Sequence, residues 1–218
     1  MNGCAFCSNS AFDDSPEDWN QPLLESRNFA VLPSLGALVE GWLLIVPKKH
    51  FISVGALPGA LWSEFSALKS DVVHLSEELY GPVCVFEHGP SAEKHQVGCG
   101  VDHAHLHVVP TALDLTSSVA PFLPIGARWT DANLRNCRDA YERGKDYLYL
   151  EDQARRGQMV VHQRLGSQLF RRAIALEIGF DQEFNWREHP QFSNVRSTIN
   201  TVRHATRSAY MVGSGNAA

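Results

Sequence analysis

Asp102-His103-Ala104-His105-Leu106-His107-Val108-Val109-Pro110 is the stretch that decides how this chain is read. Three of the chain's ten histidines stand here at two-residue spacing, with Ala104, Leu106 and Val108 between and after them. On a β-strand, successive side chains point to opposite faces. The spacing therefore predicts a row formed by His103, His105 and His107 on one face, with neighbours roughly 6–7 Å apart, and an apolar row on the other. Imidazole is a nucleophile, a proton carrier and a metal ligand near neutral pH. A strand that buries its apolar face and lines its other face with imidazoles is one that carries chemistry.

The elements around it alternate in a way that suits an antiparallel sheet. Upstream, residues 28–33 and 41–46 read as strands rich in side chains suited to a buried sheet, the second closed by Pro47-Lys48-Lys49-His50. Residues 58–80 place Leu61, Phe65, Leu68, Val72, Leu75 and Leu79 near helical spacing, ended by Gly81-Pro82. Residues 83–87 are a third strand, and 88–100 a polar, glycine-bearing loop. Downstream, 111–129 is loop-like and 131–144 helical. Residues 147–151 and 158–163 are strands around a turn at 154–157. A helix is predicted over 167–179, capped by Ser167 and ended by Gly179. A last helix is predicted over 193–207, with a frayed tail from 208. The pattern points to an α+β fold rather than a doubly wound one.

The 218 residues suffice for one sizeable domain, or a small domain with an extension. A hydrophobic content of 44% with 20% charged residues is that of an ordinary globular protein. The net charge of −5 gives no argument for wholesale nucleic-acid binding. No apolar run approaches the ~20 residues of a membrane helix, and the start of the chain has no signal-like stretch. The expectation is a cytoplasmic protein with no membrane partner. The five cysteines, Cys4, Cys7, Cys84, Cys99 and Cys137, are odd in number and scattered, which argues against a disulfide framework. Cys4-Ala5-Phe6-Cys7 is a CxxC that can be redox-active, metal-binding or accidental. It does not follow a strand, as a thioredoxin-type motif would, so metal binding is preferred if other ligands exist.

His103-Ala104-His105-Leu106-His107-Val108-Val109 resembles the histidine-triad (HIT) motif in full. The likeness reaches upstream through the CxxC, the Pro-Lys-Lys-His turn, the helix and Glu87-His88-Gly89-Pro90, all in the family's order, and covers residues 4–110. The resemblance implies a HIT-like antiparallel sheet with a packed helix over residues 1–112, commonly dimerising. It also implies a nucleotidyl hydrolase or transferase that passes through a covalent nucleotidyl-histidine. His105, the central histidine, is then the nucleophile. His107 either hydrogen-bonds a phosphate oxygen or helps the leaving group depart. Glu87, His88, Gly98, Cys99 and Gly100 fall at substrate-binding positions, the glycines allowing backbone N–H groups to approach phosphate. The zinc-bearing relatives imply a closed, structural Zn²⁺ held by Cys4, Cys7, His50 and His103.

The chain departs from common small members in three ways. Ser34 or Leu35 stands where an acidic residue grips ribose, Gly100 stands where a serine precedes the triad, and the loop before the triad is longer. Residues 113–218 form a C-terminal α/β extension expected to pack on the first unit. Leu165–Ala173 with Asn185-Trp186-Arg187 distantly resembles the C-terminal segment of CwfJ-like proteins. Arg171, in the first turns of the predicted 167–179 helix, is a candidate for binding distal phosphates, or else faces solvent. The expected partner is a nucleotide or dinucleotide-type small molecule, with a homodimer as the assembly. Two other functions fit the histidines: a metal-dependent hydrolase using them as catalytic ligands, and a non-catalytic nucleotide-binding scaffold. Against the former, Val108-Val109 stands where a metallo-β-lactamase-type site wants Asp-His.

Overall fold

β-Branched and aromatic runs separated by turns build one sheet in this protein. The structure, a computed structural model, describes residues 4–8, 18–94, 97 and 101–214. In chain order the elements are α1 (Ala5–Ser8), β1 (Leu24–Glu25), β2 (Phe29–Pro33), β3 (Leu43–Pro47), α2 (Trp62–Tyr80), β4 (Val83–Gly89) and β5 (Leu106–Pro110). They continue with α3 (Leu115–Val119), β6 (Thr130–Asp131), α4 (Asn136–Glu142), β7 (Tyr147–Glu151), β8 (Gly157–Val161), α5 (Leu169–Glu177) and α6 (Phe192–Ser214). The eight strands form one sheet in the order β1-β2-β3-β5-β4-β7-β8-β6, and every pairing is antiparallel. The fold is α+β, with helices packed on an antiparallel sheet, as the alternation of elements predicts.

Strand alternation sorts the core into two layers. On one face Val31, Ile45, Val85, Leu106 and Val108 meet Phe65, Leu68 and Val72 of α2. Those helix positions recur at three- and four-residue spacing, which puts them on one side of α2. Phe65 is fully buried, so its truncation to Ala costs about 3–5 kcal/mol. Gly81 ends α2 at φ +87°, its N–H donating to the Glu77 carbonyl. On the other face Trp42, Leu44, Phe86, Leu148 and Leu150 meet Phe170 and Ile174 of α5 and Val195 and Ile199 of α6. Both faces are covered, which is why β2, β3 and β7 are buried along their whole length.

The sheet crosses residue 112 without a break. β7 pairs with β4 from Val85↔Glu151 to Gly89↔Tyr147, so the C-terminal residues lengthen the sheet as well as cover it. α6 also grips the β2–β3 connection. The Asn194 side chain donates to the Ala37 carbonyl, and Thr198 Oγ1 accepts from the Gly41 N–H at 2.8 Å.

Several local expectations differ from what forms: α3 arises inside the segment 111–129 read as loop, and the helix expected over 131–144 is confined to Asn136–Glu142. β5 begins at Leu106, so His103 and His105 precede the strand rather than belong to it. α5 begins at Leu169; Gln168, not Ser167, occupies its N-cap, at φ +57°, and makes no side-chain cap. The last helix runs from Phe192 to Ser214, past the predicted end at 207. No helix among the described residues is long and apolar enough to cross a membrane.

Candidate active site and metal-binding cluster

The register of three strands sets the site. His107 faces Leu44 of β3 on one side and Phe86 of β4 on the other. Its ring stacks on Phe86 at 4.6 Å and lies 4.9 Å from the ring of His105. Trp42, two residues before Leu44, shares that face and is the diagonal neighbour of His107. Its Nε1–H donates to His107 Nδ1 at 2.9 Å. An indole nitrogen only donates, so Nδ1 is the bare nitrogen and the proton of the neutral ring sits on Nε2. His107 Nε2 is buried and has no hydrogen-bond partner among the described residues. Burial first, then the neighbouring His105, Arg171 and His88, hold the His107 pKa well below its usual value of 6.5.

His105 carries the opposite proton arrangement. Its Nδ1 lies 2.7 Å from the His103 carbonyl oxygen. A carbonyl only accepts, so Nδ1 bears the hydrogen and Nε2 keeps its lone pair. Burial lowers the His105 pKa to about 4 despite that hydrogen bond. His105 and His107 line a cleft of about 120 Å³ together with Phe6, Trp19, Ser34, Arg171 and Trp186. At neutral pH the two adjacent imidazoles that line the cleft are thus both neutral and of opposite tautomer.

His103 turns away from the cleft. Its Nδ1 lies 3.4 Å from Cys4 Sγ and 3.6 Å from Cys7 Sγ, and its Nε2–H donates to the Pro47 carbonyl at 2.8 Å. His50 Nδ1 lies 3.4 Å from Cys7 Sγ. The ligating atoms of Cys4, Cys7, His50 and His103 all fall within 4.8 Å of one another, close enough to hold one metal ion. Zinc bonds of about 2.3 Å to sulfur and 2.0 Å to nitrogen, at tetrahedral angles, separate S and N by roughly 3.5 Å, which the donor set matches. The Pro47 carbonyl fixes the tautomer of His103 from behind, as an outer partner of a metal-bound imidazole does. Because His103 points to the thiols while His105 and His107 are bonded elsewhere, the three histidines do not form one ligand set.

Arg171 enters the site from α5. It is buried and donates to the carbonyls of Gly36 and Leu35 and to Ser34 Oγ, so it fastens the β2–β3 turn to the extension. Its guanidinium carbon sits 4.5 Å over the Trp42 ring. Neither a solvated arginine nor a purely packing role describes it. It clamps a turn and lines the cleft together. Gly36, at φ +70°, abuts both Arg171 and Trp186, which leaves no room there for a side chain.

Other expected positions fall elsewhere. Glu87 points to the α2 face of β4, away from the cleft. Its carboxyl accepts the Val54 N–H and the Tyr147 hydroxyl, each at 2.6 Å. Burial lifts its pKa from 4.5 to about 7, against the pull of those two hydrogen bonds. The structure does not bring Glu87 together with the cleft residues: odd positions of β4 face α2, and even positions face the triad. His88 is on the triad face, yet its Nε2 accepts the Phe170 N–H at 3.5 Å near the start of α5 and does not line the cleft. It offers an acceptor to one of the amides that a helix leaves unbonded at its N-terminus, which Gln168 does not serve. Gly98, Cys99 and Gly100 lie outside the described residues. Sequence reasoning missed Trp42, Trp19 and Trp186. The signal for Trp42 was its two-residue offset from Leu44, which becomes legible only once β3 is known to lie beside β5.

No family model and no curated protein matches the chain. Among solved structures it is similar to a Streptococcus mutans protein at 20% identity, over 50% of this chain and 66% of that one, with a TM-score of 0.42. A hypothetical histidine triad nucleotide-binding protein from Sulfolobus tokodaii matches at 18% identity over 64% and 93%, with a TM-score of 0.41. Yeast Ap4A phosphorylase, solved with AMP, matches at 14% identity over 63% and 56%, with a TM-score of 0.36. The chain carries His103-Ala104-His105-Leu106-His107-Val108-Val109 at and just before the central strand of an antiparallel α+β sheet.

Proposed function

We propose that this protein transfers or hydrolyses a nucleoside monophosphate group by covalent catalysis at His105. The observation that carries the reading is the pair of opposed tautomers. His105 Nε2 keeps a lone pair because Nδ1–H is held by the His103 carbonyl, and the His107 ring, its hydrogen left on Nε2 by the Trp42 bond, lines the same cleft. In-line attack by Nε2 on the α-phosphorus forms a P–N bond as the bond to the leaving oxygen or nitrogen breaks. The Nε2–H of His107 stabilises charge that develops on a phosphoryl oxygen, a kind of contact worth about 3–4 kcal/mol. Water or phosphate then attacks phosphorus, and His105 is regenerated.

Cys4, Cys7, His50 and His103 hold one Zn²⁺ in this reading. Four protein ligands fill its coordination, so its part is structural. It fixes His103, and the His103 carbonyl fixes the nucleophile. It also ties Phe6, 5.4 Å from the His103 ring, into the cleft wall. Arg171 and the aromatic walls supply an anion-binding and a stacking subsite for a nucleotide. Candidate substrates are dinucleoside polyphosphates, nucleotide sugars and nucleoside phosphoramidates, acted on in a cytoplasmic protein that forms a homodimer. Incubation with such a panel, acid-free quenching and peptide mapping tests the proposal. A nucleoside monophosphate adduct on His105 is the expected result. Full turnover by His105→Ala refutes the mechanism, and tight binding without turnover across the panel favours a nucleotide-binding scaffold.

A further inference from the structure

The bond between Trp42 and His107 has a chemical consequence beyond holding a ring in place. Trp42 Nε1 can only donate, so His107 Nδ1 must stay bare. A second proton on His107 would set one N–H against another. The indole has no room to turn away. It is fully buried, edge-on to Phe86 at 5.8 Å, with the Arg171 guanidinium 4.5 Å over its ring. Arg171 is itself held by Gly36, Leu35 and Ser34. A positive guanidinium beside Trp42 and His107 also opposes protonation of that imidazole. His107 therefore offers an N–H but holds no proton it can release, because a neutral imidazole that loses its one hydrogen becomes an anion.

We infer that Trp42 is a positioning residue that locks His107 as a hydrogen-bond donor to the phosphoryl group, so that the site favours leaving groups that depart as phosphate anions over leaving groups that are amines. The inference rests on the nucleotidyl-transfer reading. With a phosphoanhydride, His105 Nε2 forms the P–N bond while the bridging P–O bond breaks. The departing phosphate keeps the electron pair and needs no proton, its own last pKa being about 6. Nδ1–H stays on the His103 carbonyl. Water then bonds to phosphorus as P–N breaks, and its proton passes to the freed Nε2 and on to solvent. With a phosphoramidate, the breaking P–N bond leaves its pair on an amine nitrogen that must gain a proton as it departs. His107 cannot supply it. A missing general acid costs about 100-fold or more in rate.

The test compares, in the wild-type protein, a dinucleoside tetraphosphate with the 5′-phosphoramidate of the same nucleoside, for each of the four common nucleosides. The expected kcat/KM for the tetraphosphate exceeds that of the phosphoramidate by about 100-fold or more. Phosphoramidate turnover equal to or faster than that of the tetraphosphate overturns the inference and leaves nucleotidyl transfer standing. Turnover of neither, with no adduct on His105, removes the transfer reading and the leaving-group preference with it. Nitrogen-15 NMR of His107 is the second arm and needs no substrate. The ring is expected as a single tautomer with the hydrogen on Nε2, and a hydrogen on Nδ1 overturns the positioning role. Trp42→Phe keeps an aromatic ring and deletes the N–H. It is expected to show the second tautomer, to lose kcat with little change in KM, and to narrow the leaving-group preference. A variant that folds yet keeps the single tautomer and the full preference contradicts the assignment. Should it fail to fold, the wild-type spectrum alone decides.

Discussion

Glu87→Gln is a substitution whose effect on stability changes with pH in a way the structure fixes. The buried carboxyl has a folded pKa of about 7 against an ordinary value of 4.5. Burial disfavours the charged form, and the hydrogen bonds from Val54 and Tyr147 offset that only in part. A raised pKa means that the folded chain binds the proton more tightly than the unfolded chain does. The stabilisation is fully present below pH 4.5 and is lost as pH rises through about 7. At about 1.36 kcal/mol for each pH unit, the interval between the two values amounts to about 3 kcal/mol. Glutamine carries no titrating proton and keeps an oxygen for the Val54 N–H. The variant is expected to be less stable than wild type at pH 5 and to lose most of that deficit by pH 8. Urea unfolding of both proteins across this range, with zinc saturating, measures the difference and cancels what the metal ligands and other histidines contribute to both. A stability gap that stays constant, or widens as pH rises, refutes the argument that Glu87 is held protonated by burial.

Further outcomes follow from the same geometry. Arg171→Met leaves the buried Gly36 carbonyl, the half-buried Leu35 carbonyl and the Ser34 hydroxyl without their guanidinium donors. A loss of about 3 kcal/mol is expected, or a thermal midpoint lower by roughly 6–12 °C, read by calorimetry. His107→Asn is expected to lower kcat by about 100-fold or more with little change in KM, because the lost N–H acts on charge that develops during reaction. Cys4→Ser with Cys7→Ser is expected to abolish the one zinc per chain found by elemental analysis after dialysis and to lower the thermal midpoint. Wild-type zinc content that the double variant retains contradicts the ligand set.

Much of the fold was legible because β2, β3, β4 and β7 are buried along their whole length, and such strands announce themselves as apolar runs between turns. β7 was read at its observed bounds, and α2 began only four residues later than its apolar spacing suggested. The CxxC, His50 and His103 converge as the histidine-triad resemblance implied. What the sequence could not display were facts of register. Glu87 and His88 are adjacent, yet alternation sends one to α2 and the other to α5. The extent of β5 was overread, because two-residue spacing persists through His103 and His105 while the backbone there turns aside to bond Phe51 and the His103 side chain meets the thiols. Arg171 and Ser34 are far apart in sequence and meet only because α5 folds back over the β2–β3 turn. The cap of α5 was misplaced by one residue: Gln168 holds the N-cap position, and an acceptor for the Phe170 N–H comes from His88 of β4.

The most direct measurement is the mass of the peptide that carries His105, isolated after the protein has been mixed rapidly with an active nucleotide substrate and digested at neutral to alkaline pH. The account predicts that this peptide gains one nucleoside monophosphate, fragmented to the His105 side chain, and that His105→Ala neither gains it nor turns over. Turnover that proceeds with His105 unmodified and survives its replacement by alanine would contradict the account.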